Sequence, residues 1–319
     1  MSYIKNSSHP GSSPPEASKP TASSQHPASR VQNPESSQHP GSSIQDPASD
    51  VKALVLTGYG LNCDHETAYA FELAGARAER VHINSLIDGS QNLADFQIMA
   101  FVGGFSWGDD HGAGVIQAVR MRTNIGDTLL KFVNDGNLVI GICNGFQAIV
   151  NLGLLPGLDG DYQSRTVALT TNNCGRFRDD WVHLKANPES PCVFTRGLRQ
   201  MDLPIRHGEG KLFAEPAVLE RLIQGGQVVL QYALPDGTPA DGAFPFNPNG
   251  SVHDIAGICD PTGHILGLMP HPEAYNHWTN HPEWPQEKET RKRQGLPLPS
   301  GPTVGIQVFQ NAVDFVRNR

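Results

Sequence analysis

Five cysteines are all that this 319-residue chain contains, an odd number without framework spacing, so no disulfide scaffold is expected and a reducing compartment is. No apolar run approaches the length of a membrane span. Basic residues are outnumbered, 24 Lys+Arg against 32 Asp+Glu, and form no stripe, which argues against nucleic acid as a partner. The first fifty residues lack nearly every aliphatic and aromatic side chain and consist largely of Ser, Pro, Gln, His and Gly. Such a segment cannot bury enough apolar surface to offset its ordering entropy, so 1–50 reads as a disordered tail and 51–319 as one folded domain. The repeated His9, His26 and His39 in that tail read as solvated linker rather than as a metal tract. No apolar core follows the N-terminal charge, which excludes a secretory signal, and no methionine lies between Met1 and Met99, so a start near Asp50 would need a codon other than ATG. These absences describe a soluble cytoplasmic protein.

What is present is concentrated in Leu138-Val139-Ile140-Gly141-Ile142-Cys143-Asn144-Gly145-Phe146-Gln147. A β-branched strand enters a small-residue turn and a helix leaves it, with Gly141 and Gly145 two residues either side of Cys143. This is the logic of a nucleophile elbow, where a sharp strand-to-helix turn needs neighbours without bulk. The helix that starts there aims free N–H groups and its positive end at the sulfur, which suits an anionic nucleophile. A buried structural cysteine is the plainer alternative.

A partner lies far downstream, in Met269-Pro270-His271-Pro272-Glu273. Pro272 pushes His271 out of helical geometry, and in an extended segment residues two apart share a side. His271 and Glu273 therefore form a candidate base with a carboxylate to orient it, the design that activates a thiol nucleophile. Alone, His-Pro-Glu would be a plain loop; beside the elbow it reads as catalytic.

The rest of the chain alternates strands and helices. Strands are expected at 51–56, 78–83, 98–102 and 138–142, with helices at 65–74 and 114–134 between them. Shorter strands are expected at 167–170, 182–184, 228–232 and 255–258, and a final helix at 305–319 docks through Ile306, Phe309, Val313 and Val316. The fold class is α/β, a mostly parallel twisted sheet with helices on both faces. The Gly103-Gly104 pair follows a strand, at the end where parallel sheets bind ligands. Gly58-Tyr59-Gly60 lacks the third glycine of a dinucleotide loop, and His207-Gly208-Glu209-Gly210-Lys211 lacks the upstream glycine and the Ser/Thr of a phosphate loop, so no ATP site is expected. His277 and His281 read as surface loop, not as metal ligands.

The blocks at 141–147 and 269–273 resemble the class I, or triad, glutamine amidotransferases. More narrowly the chain resembles the glutaminase component of phosphoribosylformylglycinamidine (FGAM) synthase. That likeness extends through Gly60-Leu61-Asn62-Cys63-Asp64, Val102-Gly103-Gly104-Phe105-Ser106-Trp107-Gly108-Asp109, Asn173-Cys174-Gly175-Arg176-Phe177, His207-Gly208-Glu209-Gly210, Asn247-Pro248-Asn249-Gly250-Ser251 and Ile255-Ala256-Gly257-Ile258-Cys259. It covers nearly everything from Val51 to Glu273. Departures are Ala274 where the family usually has arginine, Cys174 where serine is commoner, and a long polar stretch from Asn276 to Pro302.

The resemblance implies a Cys143–His271–Glu273 triad, an oxyanion hole from the N–H groups of Gly104 and Asn144, and a glutamine-binding role for Gln147. It implies glutamine as substrate, no metal and no cofactor on this chain, with ATP and Mg used by a separate synthase subunit. It also implies two partners, that large subunit and a small bridging protein. Two readings from other classes stand beside it: another cysteine hydrolase on the same elbow, and a glutaminase-like module that binds or regulates without catalysis.

Overall fold

The computed structural model describes residues 50–319; the expectations for the tail, its three histidines included, lie outside the described residues. The first half of the chain follows the anticipated alternation. Strand β1 (Lys52–Thr57) leads to helix α1 (Asp64–Leu73), β2 (Arg77–His82) and the short α2 (Ile83–Ile87). Then come β3 (Ile98–Phe101), α3 (Val115–Asn134), β4 (Leu138–Ile142) and α4 (Asn144–Leu152).

The second half is richer in strands than its sequence suggested. It holds β5 (Val167–Thr170), β6 (Arg178–Ala186), β7 (Gln200–His207), β8 (Lys211–Ala214) and the helix α5 (Pro216–Gln224). β9 (Val228–Ala233), β10 (Ile255–Cys259) and β11 (Ile265–Leu268) follow, then α6 (Trp284–Arg293) and α7 (Val304–Arg317). Of these, β7, β8, β11, α5 and α6 were not anticipated, and β6 is longer than its expected core at 182–184.

Nine strands form one sheet in the order β2-β1-β3-β4-β11-β10-β9-β6-β7, with β5 and β8 paired separately. The five strands from β2 to β11 run parallel, and the remaining four continue the sheet antiparallel. β3, β4, β10 and β11 are buried at every position. A strand without an exposed alternate residue is covered on both faces, as parallel sheets require. α1 packs on α7, with the rings of Phe71 and Phe309 edge to face at 4.8 Å, and α3 packs on α4. The expected stripe of α7 is buried at Ile306, Phe309 and Val313, while Val316 packs partly buried at its margin. Among the described residues no helix is long and apolar enough to cross a membrane.

Candidate active site

The carboxyl ends of four parallel strands converge on one spot. β1 leads into the loop carrying Cys63, β3 into Gly103-Gly104, β4 into Cys143, and β11 into His271-Pro272-Glu273. Parallel register sets the level of the last two: Leu268 lies opposite Ile142, and the Cys143 N–H donates to the Leu268 carbonyl at 2.8 Å.

Cys143 is the residue before α4, held at φ 52°, ψ −107°. A positive φ at a side-chain-bearing residue is a strained conformation that surrounding packing must impose. The flanking glycines show how. A Cβ on Gly141 would stand 2.6 Å from the Ile149 side chain and 2.8 Å from the Gly145 carbonyl oxygen, and one on Gly145 would run into the Phe101 carbonyl. The turn closes because neither has one.

His271 and Glu273 are both buried, and His271 Nδ1 lies 2.6 Å from Glu273 Oε1. The turn between them is a single 3-10 turn over Pro272–Ala274, with His271 itself non-helical at φ −106°, ψ 88°. Its backbone N–H donates to the Pro204 carbonyl of β7 at 2.8 Å, and Gly305 of α7 packs against the Tyr275 carbonyl that follows. Burial alone would depress the His271 pKa, but the Glu273 carboxylate, Cys143 and Cys63 outweigh it and hold the imidazole well above its usual value. The Cys143 thiol also reaches the Arg206 carbonyl oxygen at 3.5 Å.

Gly104 sits at φ 150°, where a Cβ would meet the Asn62 nitrogen and Leu61 Cα at 3.0 Å. Gly103 has a different duty: a Cβ there would stand 2.7 Å from His271 Cε1, so its absence makes room for the imidazole. Asn144 was singled out only for its N–H, yet its side chain is wholly buried and braces the site. Its Oδ1 accepts from the Ser106 N–H at 3.0 Å, while Nδ2 donates to Asp109 Oδ1 and Gln147 Oε1, each at 2.9 Å. The elbow is thereby tied to the loop after β3. Gln147 spends its amide within the protein, its nitrogen donating to the Glu209 carbonyl and its oxygen accepting from Asn144.

A cavity of about 180 Å3 opens over the sulfur, lined by Asn62, Cys63, Glu66, Gly104, Phe105, Cys143, Phe177, Arg206 and His271. Gln147 is not in its wall. A larger cavity of about 520 Å3 lies between Asp202, Tyr275 and α6, with no cysteine in its lining. Cys63 and Arg206 carried no assigned role in the sequence reading. The signal for Cys63 was its loop, which follows β1 at the ligand-binding end of a parallel sheet. Arg206 had none, since β7 was not anticipated.

The chain matches the model of the CobB/CobQ-like glutamine amidotransferase domain over residues 50–316. It is 46% identical over 264 residues to a Methanococcus maripaludis protein named phosphoribosylformylglycinamidine synthase subunit PurQ, covering 83% of this chain and 97% of that one. A Dehalococcoides mccartyi protein of the same name is 46% identical over 269 residues, 84% of this chain and 99% of its own. Among solved structures, PurLQS from Thermotoga maritima is similar with a TM-score of 0.60 at 28% identity, covering 84% of this chain and 99% of the matched one.

Proposed function

The chain belongs to the CobB/CobQ-like glutamine amidotransferase family, and from that premise we propose that it is the glutaminase subunit of FGAM synthase, an enzyme of purine biosynthesis. One observation carries the chemistry: a strained elbow cysteine faces a buried His–Glu pair, in a chain that covers 99% of the length of the Dehalococcoides mccartyi relative.

His271 takes the thiol proton and the Cys143 sulfur attacks the side-chain amide of glutamine. The oxyanion of the tetrahedral intermediate accepts hydrogen bonds from the Gly104 and Asn144 N–H groups, which the Asn144 side chain holds in register. Protonated His271 then hands its proton to departing ammonia, leaving a γ-glutamyl thioester on Cys143. Water activated by the same imidazole releases glutamate and restores the thiol. Glu273 keeps the ring in one tautomer and stabilises the imidazolium. Gln147 acts on glutamine indirectly, by fixing Asn144 and the Glu209 backbone.

Ammonia passes to a large synthase subunit that uses ATP and Mg to convert formylglycinamide ribonucleotide to the amidine, with a small protein bridging the two. Residues 51–319 act as one glutaminase domain, in the cytoplasm, with no cofactor of their own. The experiment is glutamate release by the purified chain, alone and with its synthase, ribonucleotide and ATP, beside Cys143→Ala. Release that rises with the partner and vanishes in the variant is the expected result. Release unchanged by Cys143→Ala would overturn the assignment.

A further inference from the structure

Cys63 takes no part in glutamine hydrolysis as derived above, yet it is a buried thiol beside the base. Its Sγ, one imidazole nitrogen of His271 and one carboxylate oxygen of Glu273 all lie within 4.8 Å of one another. We propose that Cys63 and His271, which line the cavity beside Cys143, together with the buried Glu273 behind them, form an inhibitory binding site for a thiophilic divalent cation such as Zn2+.

The donor set fits that chemistry. Thiolate, imidazole and carboxylate suit zinc, whereas magnesium and calcium prefer oxygen alone. Zinc binds sulfur at about 2.3 Å and nitrogen or oxygen at about 2.0–2.2 Å, so tetrahedral ligand atoms stand roughly 3.3–3.8 Å apart. The three donor atoms start within 4.8 Å of one another, and the 2.6 Å contact between His271 Nδ1 and Glu273 Oε1 would have to open for both residues to reach that spacing around one cation. Gly103 again supplies the room, since a Cβ on it would lie 3.1 Å from Cys63 Sγ as well as against the imidazole. The Cys63 N–H donates to the Gly103 carbonyl at 3.2 Å, which seats the thiol beside the ring.

A second observation points the same way. His271 Nε2 and Glu273 Oε2 are buried with no hydrogen-bond partner, although the residues are 2% and 0% exposed. Catalysis gives the nitrogen a use, but the carboxylate oxygen has none in the mechanism. Buried polar atoms without partners are sites where an ion or water is expected. The cavity wall adds the Glu66 carboxylate, offset by Arg206. Burial raises the Cys63 pKa, so the thiol is protonated before the cation arrives. Binding then releases the Cys63 proton, and that of His271 when it is protonated, to solvent; no electron moves. With its lone pair on the cation, His271 no longer accepts the Cys143 proton.

The test uses the full chain with Co2+ as a spectroscopic probe and Zn2+ as inhibitor of glutamate release in the assembled synthase. One equivalent of Co2+ is expected to give a thiolate-to-cobalt charge-transfer band that persists in Cys143→Ser and is lost in Cys63→Ser and Cys63→Ala. Losing a group that merely orients a ligand costs about 10–100-fold in affinity, so half-inhibition by Zn2+ should rise at least about tenfold in the Cys63 variants. No thiolate band in Cys143→Ser would overturn the proposal without recourse to any Cys63 variant. Equal zinc inhibition in wild type and Cys63→Ser would also overturn it. Only the inhibition arm rests on the glutaminase reading; the cobalt arm stands or falls by itself.

Discussion

Replacing Asn144 with alanine separates the elbow from the loop after β3 while leaving both proposed oxyanion donors on the chain. The wild-type side chain is fully buried and makes three hydrogen bonds, to the Ser106 N–H, Asp109 and Gln147. Removing it strands the Ser106 N–H, and an unsatisfied buried group costs about 1–3 kcal/mol. In a domain of this size each kcal/mol lowers Tm by about 2–4 °C. The larger expectation is kinetic. Deleting one oxyanion donor costs about 10²–10³ in kcat, and here the Gly104 N–H is loosened rather than deleted, so kcat should fall between about tenfold and that ceiling. Glutamine-driven turnover of the assembled synthase measures this, and the same complex supplied with ammonium salt is the control that must hold steady. A variant that melts several degrees lower yet keeps kcat within about twofold would refute the bracing role. A loss equal in both assays would mean the substitution damages the complex rather than the site.

Two further outcomes follow from the buried histidines. Glu273→Gln removes the carboxylate that opposes burial, so the His271 pKa should drop and the acid limb of the pH–kcat profile, where the base is lost to protonation, should move to lower pH. Its kcat should fall by about 10²–10⁴, and an unmoved acid limb would count against the pairing. His207 is held neutral, its pKa pushed down to about 3 by burial and by nearby His271. The unfolded chain takes up a proton below about pH 6.5 that the native state refuses, so stability falls with pH from there towards 3, by up to about 1.4 kcal/mol per unit. Chemical denaturation at pH 6.5 and 5 should therefore show His207→Gln losing about 1.6 kcal/mol less than wild type; equal losses would show that His207 protonates in the native state.

The parallel half was legible because β1 and β3 are largely apolar runs followed by Gly58 and Gly103, and β4 runs apolar into the Cys143 elbow, as burial on both faces demands. The antiparallel extension was not. β7 reads Gln-Met-Asp-Leu-Pro-Ile-Arg-His, and a proline inside a run argues against a strand unless the strand lies at a sheet edge, which only the assembled order reveals. α6 has no buried residue and thus no hydrophobic period; Pro285 in its first turn and the Glu287–Arg291 and Glu289–Arg293 pairs support it instead. At the site, Cys143, His271 and Glu273 were legible from local spacing, and the likeness to triad amidotransferases pointed to Gly104. Cys63 and the Asn144 brace were not, because each acts across 35 residues or more of chain, through contacts that no local pattern encodes.

The bond from the His271 N–H to the Pro204 carbonyl has a consequence for solubility as well as for chemistry. β7 is one of the two outer strands of the nine, the kind of edge that recruits a neighbouring chain. At its middle, Pro204 has no N–H to offer and its carbonyl is already occupied by His271. The segment that positions the base therefore also blocks the centre of the open edge. Substitutions that dislodge the His271 turn should expose this edge to self-association, so loss of turnover and growth of aggregates should appear together in the same variants.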